Sequence, residues 1–207
     1  MLELTDWGHI PYREAWQKQK DLVAQRVRDE IPDTLIFCEH DPVITLGRGA
    51  QRGEAPAIFP PPGTDLVEIE RGGFATWHGP GQIVVYPIVR LDKGREFGVV
   101  ALIRSLENWV SEALRSLGLD AGIVEGKTGV WIERERKIAS IGIAVSHWVS
   151  YHGLALNFAT GAEPWRAFNP CGFDPEVMTD LNRETKRTWT YGEILEVLQK
   201  NAVLRLE

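Results

Sequence analysis

The run QIVVYPIVRL (82–91) constrains the fold more than any other stretch of the chain. Apolar residues follow one another without polar alternation, so it reads as a strand buried on both faces. Such a strand needs cover above and below. FGVVALIRSLENWVSEALRSLG (97–118) carries the strongest helical pattern, with Val100, Ile103, Leu106, Val110, Leu114 and Leu117 as its apolar stripe and Gly118 as its stop. A second helix starts at Pro11, in PYREAWQKQKDLVAQRVRDE, with Tyr12, Trp16, Val23 and Val27 near one face. TLIFCEH and PVITLGR read as short strands, as do GVWIE, KIASIGIAV and YHGLALNF. Thr190-Tyr191-Gly192-Glu193 is a capping box that opens a last helix. Strands in groups with helices between them predict an α+β or mixed α/β fold, with a mixed, mostly antiparallel sheet flanked by helices. At 207 residues one domain, 1–207, is expected. The proline-rich EAPAIFPPPG (54–63) is too short to separate two large domains.

Charge and motif content exclude several classes of function. The net charge of −6 argues against general binding of nucleic acid or an anionic membrane. Basic clusters at Arg48 and Arg52, and at Arg134, Arg136 and Lys137, read either as solvated surface or as a docking patch for an acidic protein. No run approaches the roughly 20 apolar residues of a membrane span. The N-terminus has acidic residues where an export signal would be basic, so a cytoplasmic protein is expected. Cys38 and Cys171 are far apart and suggest free thiols. No spacing suggests a metal site. Gly47-Arg48-Gly49 and Gly53 imitate a dinucleotide fingerprint, but the spacing is wrong and the proline-rich residues that follow cannot open the required helix.

RGGFATWHGPGQ (71–82) packs four glycines, a proline, an arginine and a histidine into twelve positions. Two readings fit: a plain hairpin turn, or a loop that lets a ligand lie against the backbone. In KIASIGIAV, strand alternation puts Lys137 with Ala139, Ile141, Ile143 and Val145 on the apolar face, and Ser140 and Gly142 on the other. A lysine on a buried face either snorkels to water or sits beside a buried reactive group. In YHGLALNF, His152 shares a face with Leu154, Leu156 and Phe158, and Asn157 lies opposite. Such a histidine is either a satisfied core residue or part of a site. Cys171, in FNPCGF, sits in a turn rather than a core strand, whereas Cys38, in LIFCEH, has the setting of an inert buried thiol. Lys137, His78 and His152 are the candidate activators of Cys171.

These motifs together resemble one family. EHDPVITLGR, RGGFATWHGPGQ, GVWIERERKIASIGIAV, WVSYHGLALN and NPCG, in order over roughly residues 34–181, resemble the lipoyl(octanoyl) transferases, the octanoyl-[acyl-carrier-protein]–protein N-octanoyltransferases of lipoate biosynthesis. The resemblance implies the fold of the biotin and lipoate protein ligases, with a core of about 30–185. It implies Cys171 as the acyl-accepting nucleophile and Lys137 as the lysine that activates it. Cys171 and Lys137 are then expected to meet at one cavity, with His78 and His152 nearby. It implies an acyl pocket walled by Arg71, Gly72, Gly73, Phe74, Ala75, Thr76, Trp77 and His78, by Ser140, Ile141 and Gly142, and by Gly153, Leu154 and Ala155. In that reading the glycines make room for a fatty acyl chain and their amides face an oxyanion. His152, Gly79, Gln82 and Asn157 form a second tier. Ala75 and Trp77 stand at positions that vary in the family, and Ser150 stands where threonine is expected. The implied donor is octanoyl-acyl carrier protein, on its phosphopantetheine arm. The implied acceptors are lipoyl domains of 2-oxoacid dehydrogenases and the glycine cleavage H protein, with no further cofactor or metal. An ATP-using lipoate or biotin ligase on the same fold, and a non-catalytic module that binds lipoyl or carrier proteins, are the alternatives.

Overall fold

The computed structural model of the chain describes residues 2–51, 58, 60–91, 98–168 and 174–202. Its centre is a seven-stranded sheet. β1 (Glu3–His9) runs parallel to β2 (Thr34–Glu39), and every other pairing in the sheet is antiparallel. β2 is followed across the sheet by β6 (Gln82–Ile88), β10 (Val149–Asn157), β9 (Arg136–Ser146), β8 (Lys127–Ile132) and β7 (Ala121–Val124). A separate three-stranded sheet has β3 (Val43–Leu46) between β4 (Asp65–Glu68) and β5 (Ala75–His78). The expected mixed, mostly antiparallel sheet with flanking helices is what forms.

β6 is buried at every position, as its uninterrupted apolar run requires. Ile83 and Val85 face one layer with Leu35 and Phe37; Val84 and Tyr86 face the other with Ile36 and Cys38. The first layer is covered by α2 (Val99–Ser116) and α4 (Tyr191–Lys200), the second by α1 (Tyr12–Val27). Gly118 ends α2 with a φ of +83°. The capping box at Thr190 and Glu193 is present. α3 (Leu181–Thr185) is a short helix whose Asn182 N donates to Phe158 O, just past the end of β10.

The phase of α2 differs from the sequence reading. Val100 is 72% exposed, and Leu102, Leu106, Trp109, Val110, Ala113 and Leu114 form the buried stripe. Both stripes satisfy the helical period. The largest side chain decides between them: Trp109 packs edge-on against Phe37 at 6.2 Å and donates its Nε1–H to Leu198 O at 3.1 Å. β1, β4, β5 and β7 were not anticipated. The first two are exposed at alternate or most positions, and β5 lies inside the glycine-rich run read as a loop.

Pro87 interrupts the β6 ladder because it has no N–H. Ser150 fills the gap: its Oγ–H donates to Pro87 O at 2.6 Å, and its Oγ accepts from Val89 N at 3.1 Å. Ser150 is fully buried, so its removal leaves both backbone groups without that partner. Ser150→Ala is therefore predicted to lower unfolding free energy by about 2 kcal/mol, measured by urea titration. An unchanged midpoint would contradict this.

Candidate active site

Period-2 alternation sorts the residues of β5. Paired antiparallel with β3, it turns Ala75 and Trp77 into an apolar cluster with Ile44, Trp165, Phe168 and Met178. Thr76 and His78 point the other way, into a cavity. The opposite wall is the β9–β10 pair, where Ser140 faces Ala155, Ile141 faces Leu154 and Gly142 faces Gly153. Val84 and Tyr86 of β6, Tyr12 of α1, Arg71 and His152 complete the lining. The slot is narrow, with about 30 Å³ free to water-sized molecules, and part of it is open to solvent.

Of the residues expected to wall an acyl pocket, Arg71, Thr76, His78, Ser140, Ile141, Gly142, Gly153, Leu154 and Ala155 line this one cavity. Gly72, Gly73, Phe74, Ala75 and Trp77 do not. Gly72 N donates to Ile143 O at 3.2 Å, so that amide is engaged in docking the loop on β9 rather than turned to an oxyanion. Gly79, Gly142 and Gly153 sit where protein packs closely on protein. A Cβ on Gly153 would stand 1.9 Å from Val85 O, one on Gly142 3.0 Å from Arg71 Cδ, and one on Gly79 2.2 Å from the Trp77 ring. Of these, the Gly142 contact joins β9 to the Arg71 loop across the slot.

His152 departs from the alternation read in the sequence. Its φ of +56° turns the side chain out of the Leu154–Leu156 row and into the cavity beside Tyr12 and Arg71. Nε2 lies 3.5 Å from Glu70 Oε2, and the backbone N–H is held by Gln19 Oε1 at 2.8 Å. Lys137 is 2% exposed at the start of β9. Its carbonyl accepts from Thr179 N at 3.0 Å, and its Nζ lies 5.6 Å from the centre of the Trp131 ring. It does not line the cavity; Ser140, three residues on, lies about 10 Å along the strand. Cys171 lies outside the described residues, and so does the expected Cys171–Lys137 contact.

The basic clusters change meaning. Arg136 is engaged by Glu184 at 2.8 Å and Glu133 at 2.9 Å, and Lys137 is buried, which leaves Arg134 as the exposed member of that trio. Arg52 lies outside the described residues. Residues 48–51 form one helical turn, which the sequence reading did not anticipate there. Cys38 is fully buried, and desolvation pushes its thiol well above the usual range, the inert setting expected of it.

Sequence reasoning missed the aromatic and imidazole groups under the cavity. Tyr12 stacks on His78 at 5.8 Å. His40 donates Nδ1–H to Ile10 O at 2.7 Å, so its Nε2 accepts the Tyr86 hydroxyl at 2.6 Å. In sequence Tyr12 and Tyr86 read as apolar core, which is half of what a tyrosine offers. Burial keeps these groups neutral. Desolvation pushes His40 and His152 down to about 4 and His78 down to about 3, the last with help from His40.

Residues 11–202 match the family described as Lipoyl protein ligase A/B catalytic domain. The chain belongs to that family. A relative named Octanoyltransferase from Thermobifida fusca is 39% identical over 197 residues, covering 92% of this chain and 82% of its own. Another of that name, from Bdellovibrio bacteriovorus, is 38% identical over 217 residues and covers 96% of each. Among solved structures, the bipartite lipoate protein ligase of Thermoplasma acidophilum superposes with a TM-score of 0.66 at 16% identity, covering 97% of this chain and 82% of that one. A lipoate-protein ligase A bound with ATP gives 0.65 at 16%, with the same coverage. At those identities the likeness is one of fold.

The three buried histidines predict acid sensitivity. Unfolded, each titrates near ~6.5; folded, they titrate at about 4, 3 and 4. Between those values the unfolded chain binds protons that the folded chain refuses, so stability present above ~6.5 is lost as pH falls. The loss is about 1.4 kcal/mol per pH unit per histidine. Urea titrations at about pH 7.5 and about pH 5 should differ by several kcal/mol, and His40→Gln should reduce the difference. A pH-independent midpoint would contradict the neutral assignment.

Proposed function

We propose that this chain is an octanoyltransferase of lipoate biosynthesis, which moves an octanoyl group from acyl carrier protein to the lysine of a lipoyl domain, with Cys171 carrying the acyl group in between. The observation that carries the reading is the set of relatives named Octanoyltransferase, 36–40% identical over 92–97% of this chain. The cavity supports it. Val84, Ile141, Leu154 and Ala155 suit an alkyl chain, and Arg71, Thr76, His78 and His152 supply polar atoms for the head of an acyl group.

In this reading the Cys171 thiolate attacks the donor thioester. A new C–S bond forms, and the phosphopantetheine thiol leaves with a proton. Exchange of one thioester for another is close to isoenergetic. The acceptor lysine amine then attacks the acyl-enzyme, the C–N bond forms, and the Cys171 thiolate departs. An amide is more stable than a thioester, so the second half runs downhill and needs no ATP. Splitting transfer into two steps is covalent catalysis with ping-pong kinetics. A free thiol titrates near ~8.5, and each unit of depression is about 1.4 kcal/mol of thiolate stabilisation. The Lys137 ammonium is proposed to supply it and to exchange protons with the attacking amine. The acceptors are proposed to be lipoyl domains of 2-oxoacid dehydrogenases and the glycine cleavage H protein.

The test is intact-protein mass spectrometry after incubation with octanoyl-acyl carrier protein. A hydroxylamine-labile octanoyl adduct is expected, absent from a folded Cys171→Ala variant. Absence of adduct, with transfer appearing only on addition of ATP, would overturn this reading in favour of a lipoate ligase.

A further inference from the structure

Gln82 and Asn157 are almost fully buried, and each is placed in a single run of hydrogen bonds. His78 Nδ1 lies 2.7 Å from Gln82 Oε1. Gln82 Nε2 donates to Asn157 Oδ1 at 2.9 Å and to Trp77 O at 3.3 Å. Asn157 Nδ2 donates to Thr179 O at 3.0 Å, and Thr179 N–H donates to Lys137 O at 3.0 Å. The run starts at the cavity wall, crosses β5, β6 and β10, and ends on the peptide group of Lys137.

The carbonyls at its joints fix its direction, because a carbonyl only accepts. Asn157 must turn Nδ2 to Thr179 O, which leaves Oδ1 as acceptor. Gln82 must turn Nε2 to Trp77 O and Asn157 Oδ1, which leaves Oε1 as acceptor. His78 Nδ1 is then the donor. A neutral imidazole has one N–H, and the bond made by one nitrogen decides the state of the other. Nε2 therefore keeps a bare lone pair on a ring that lines the cavity. The groups around that ring are Tyr12, stacked on it from α1, His40 edge-on at 6.2 Å, Arg71 and His152.

We propose that Gln82 and Asn157 are positioning residues: together they hold His78 as the Nδ1–H tautomer, with Nε2 presented to the cavity as an acceptor, and tie that wall to the backbone that carries Lys137. The proposal deepens the octanoyl-transfer reading and rests on it for the site's purpose, while the tautomer itself stands on the hydrogen bonds alone. An Nε2 acceptor suits the N–H of an arriving amine or the S–H of a thiol, and would repel a carbonyl oxygen.

Long-range proton–nitrogen-15 spectra of histidine-labelled protein read the tautomer directly, with His78→Gln to assign the signals. The intact chain is expected to show Nδ1 protonated and Nε2 bare, unchanged from about pH 8 to about pH 5. Gln82→Ala and Asn157→Ala are expected to shift His78 toward Nε2–H or an average of the two forms. Gln82→Glu is expected to retain Nδ1–H and to move His78 titration upward, because a carboxylate favours the imidazolium. With octanoyl-acyl carrier protein, Gln82→Ala should lower kcat about tenfold or more with KM little changed. An Nε2–H form in the intact chain would overturn the proposal, even where a variant fails to fold. So would an Nδ1–H form that survives both alanine substitutions. If octanoyl transfer itself proves wrong, the kinetics vanish and the spectra still decide the tautomer.

Discussion

Arg71 holds the small sheet against the large one. It is 6% exposed, and its guanidinium donates to Thr45 O and Thr45 Oγ1 at 2.8 and 2.9 Å and to Gly72 O at 3.0 Å. Its aliphatic stem lies against Gly142, where a Cβ would approach Cδ to 3.0 Å, and Gly72 N bonds to Ile143 O beside it. Hydrogen bonds from a charged donor in a dry setting are among the stronger contacts a fold has, about 1.5–3 kcal/mol each, and a buried charge deprived of them is costly. Arg71 thus ties its loop to β3 while its stem packs on β9, one of the contacts, with the His78–Gln82 bond and the Tyr12–His78 stack, that set β5 over the β9–β10 pair. Gly142 is the position where that close approach leaves little room for a side chain.

Beneath that contact, the site is built from neutral polar groups. His40, His78 and His152 are uncharged through burial, and each has a different role in the packing. His40 bridges α1's entry and Tyr86, His78 heads the amide run toward Lys137, and His152 faces Glu70 at the rim. A slot with neutral hydrogen-bonding groups and alkyl walls receives an acyl chain without having to neutralise a charge at its base. Arg71 also lines the slot, and its Nη2 is committed to Thr45 O and Thr45 Oγ1.

Much of this was legible in the sequence where the signal was local. The continuous apolar run of β6, the capping box at Thr190 and the helix stop at Gly118 each appear where their chemistry put them. The side-chain roles of Thr76 and His78 against Ala75 and Trp77 follow from strand alternation, but only once β5 is known to be a strand, and pairing with β3 across 30 residues decides that. The phase of the α2 stripe is ambiguous in sequence because two sets of apolar positions fit the same period, and tertiary contact of Trp109 with Phe37 selects between them. The side His152 takes is not legible in sequence because a positive φ inside a strand carries no mark when the residue is not glycine. Tyr12, Tyr86 and Glu70 carry no such signal, because a tyrosine in an apolar stripe, or a glutamate before a loop, becomes part of a site only through contacts distant in the chain.

The central claim is that the slot between β5 and the β9–β10 pair is where the acyl chain lies. The crystal structure of the chain after reaction with octanoyl-acyl carrier protein tests it most directly. The account predicts acyl density running from Cys171 between Thr76 and His78 on one side and Gly142 and Ala155 on the other. Density in the wider groove between β1 and α1, lined by Trp7, Leu22 and Ile36, with the slot empty, would contradict it.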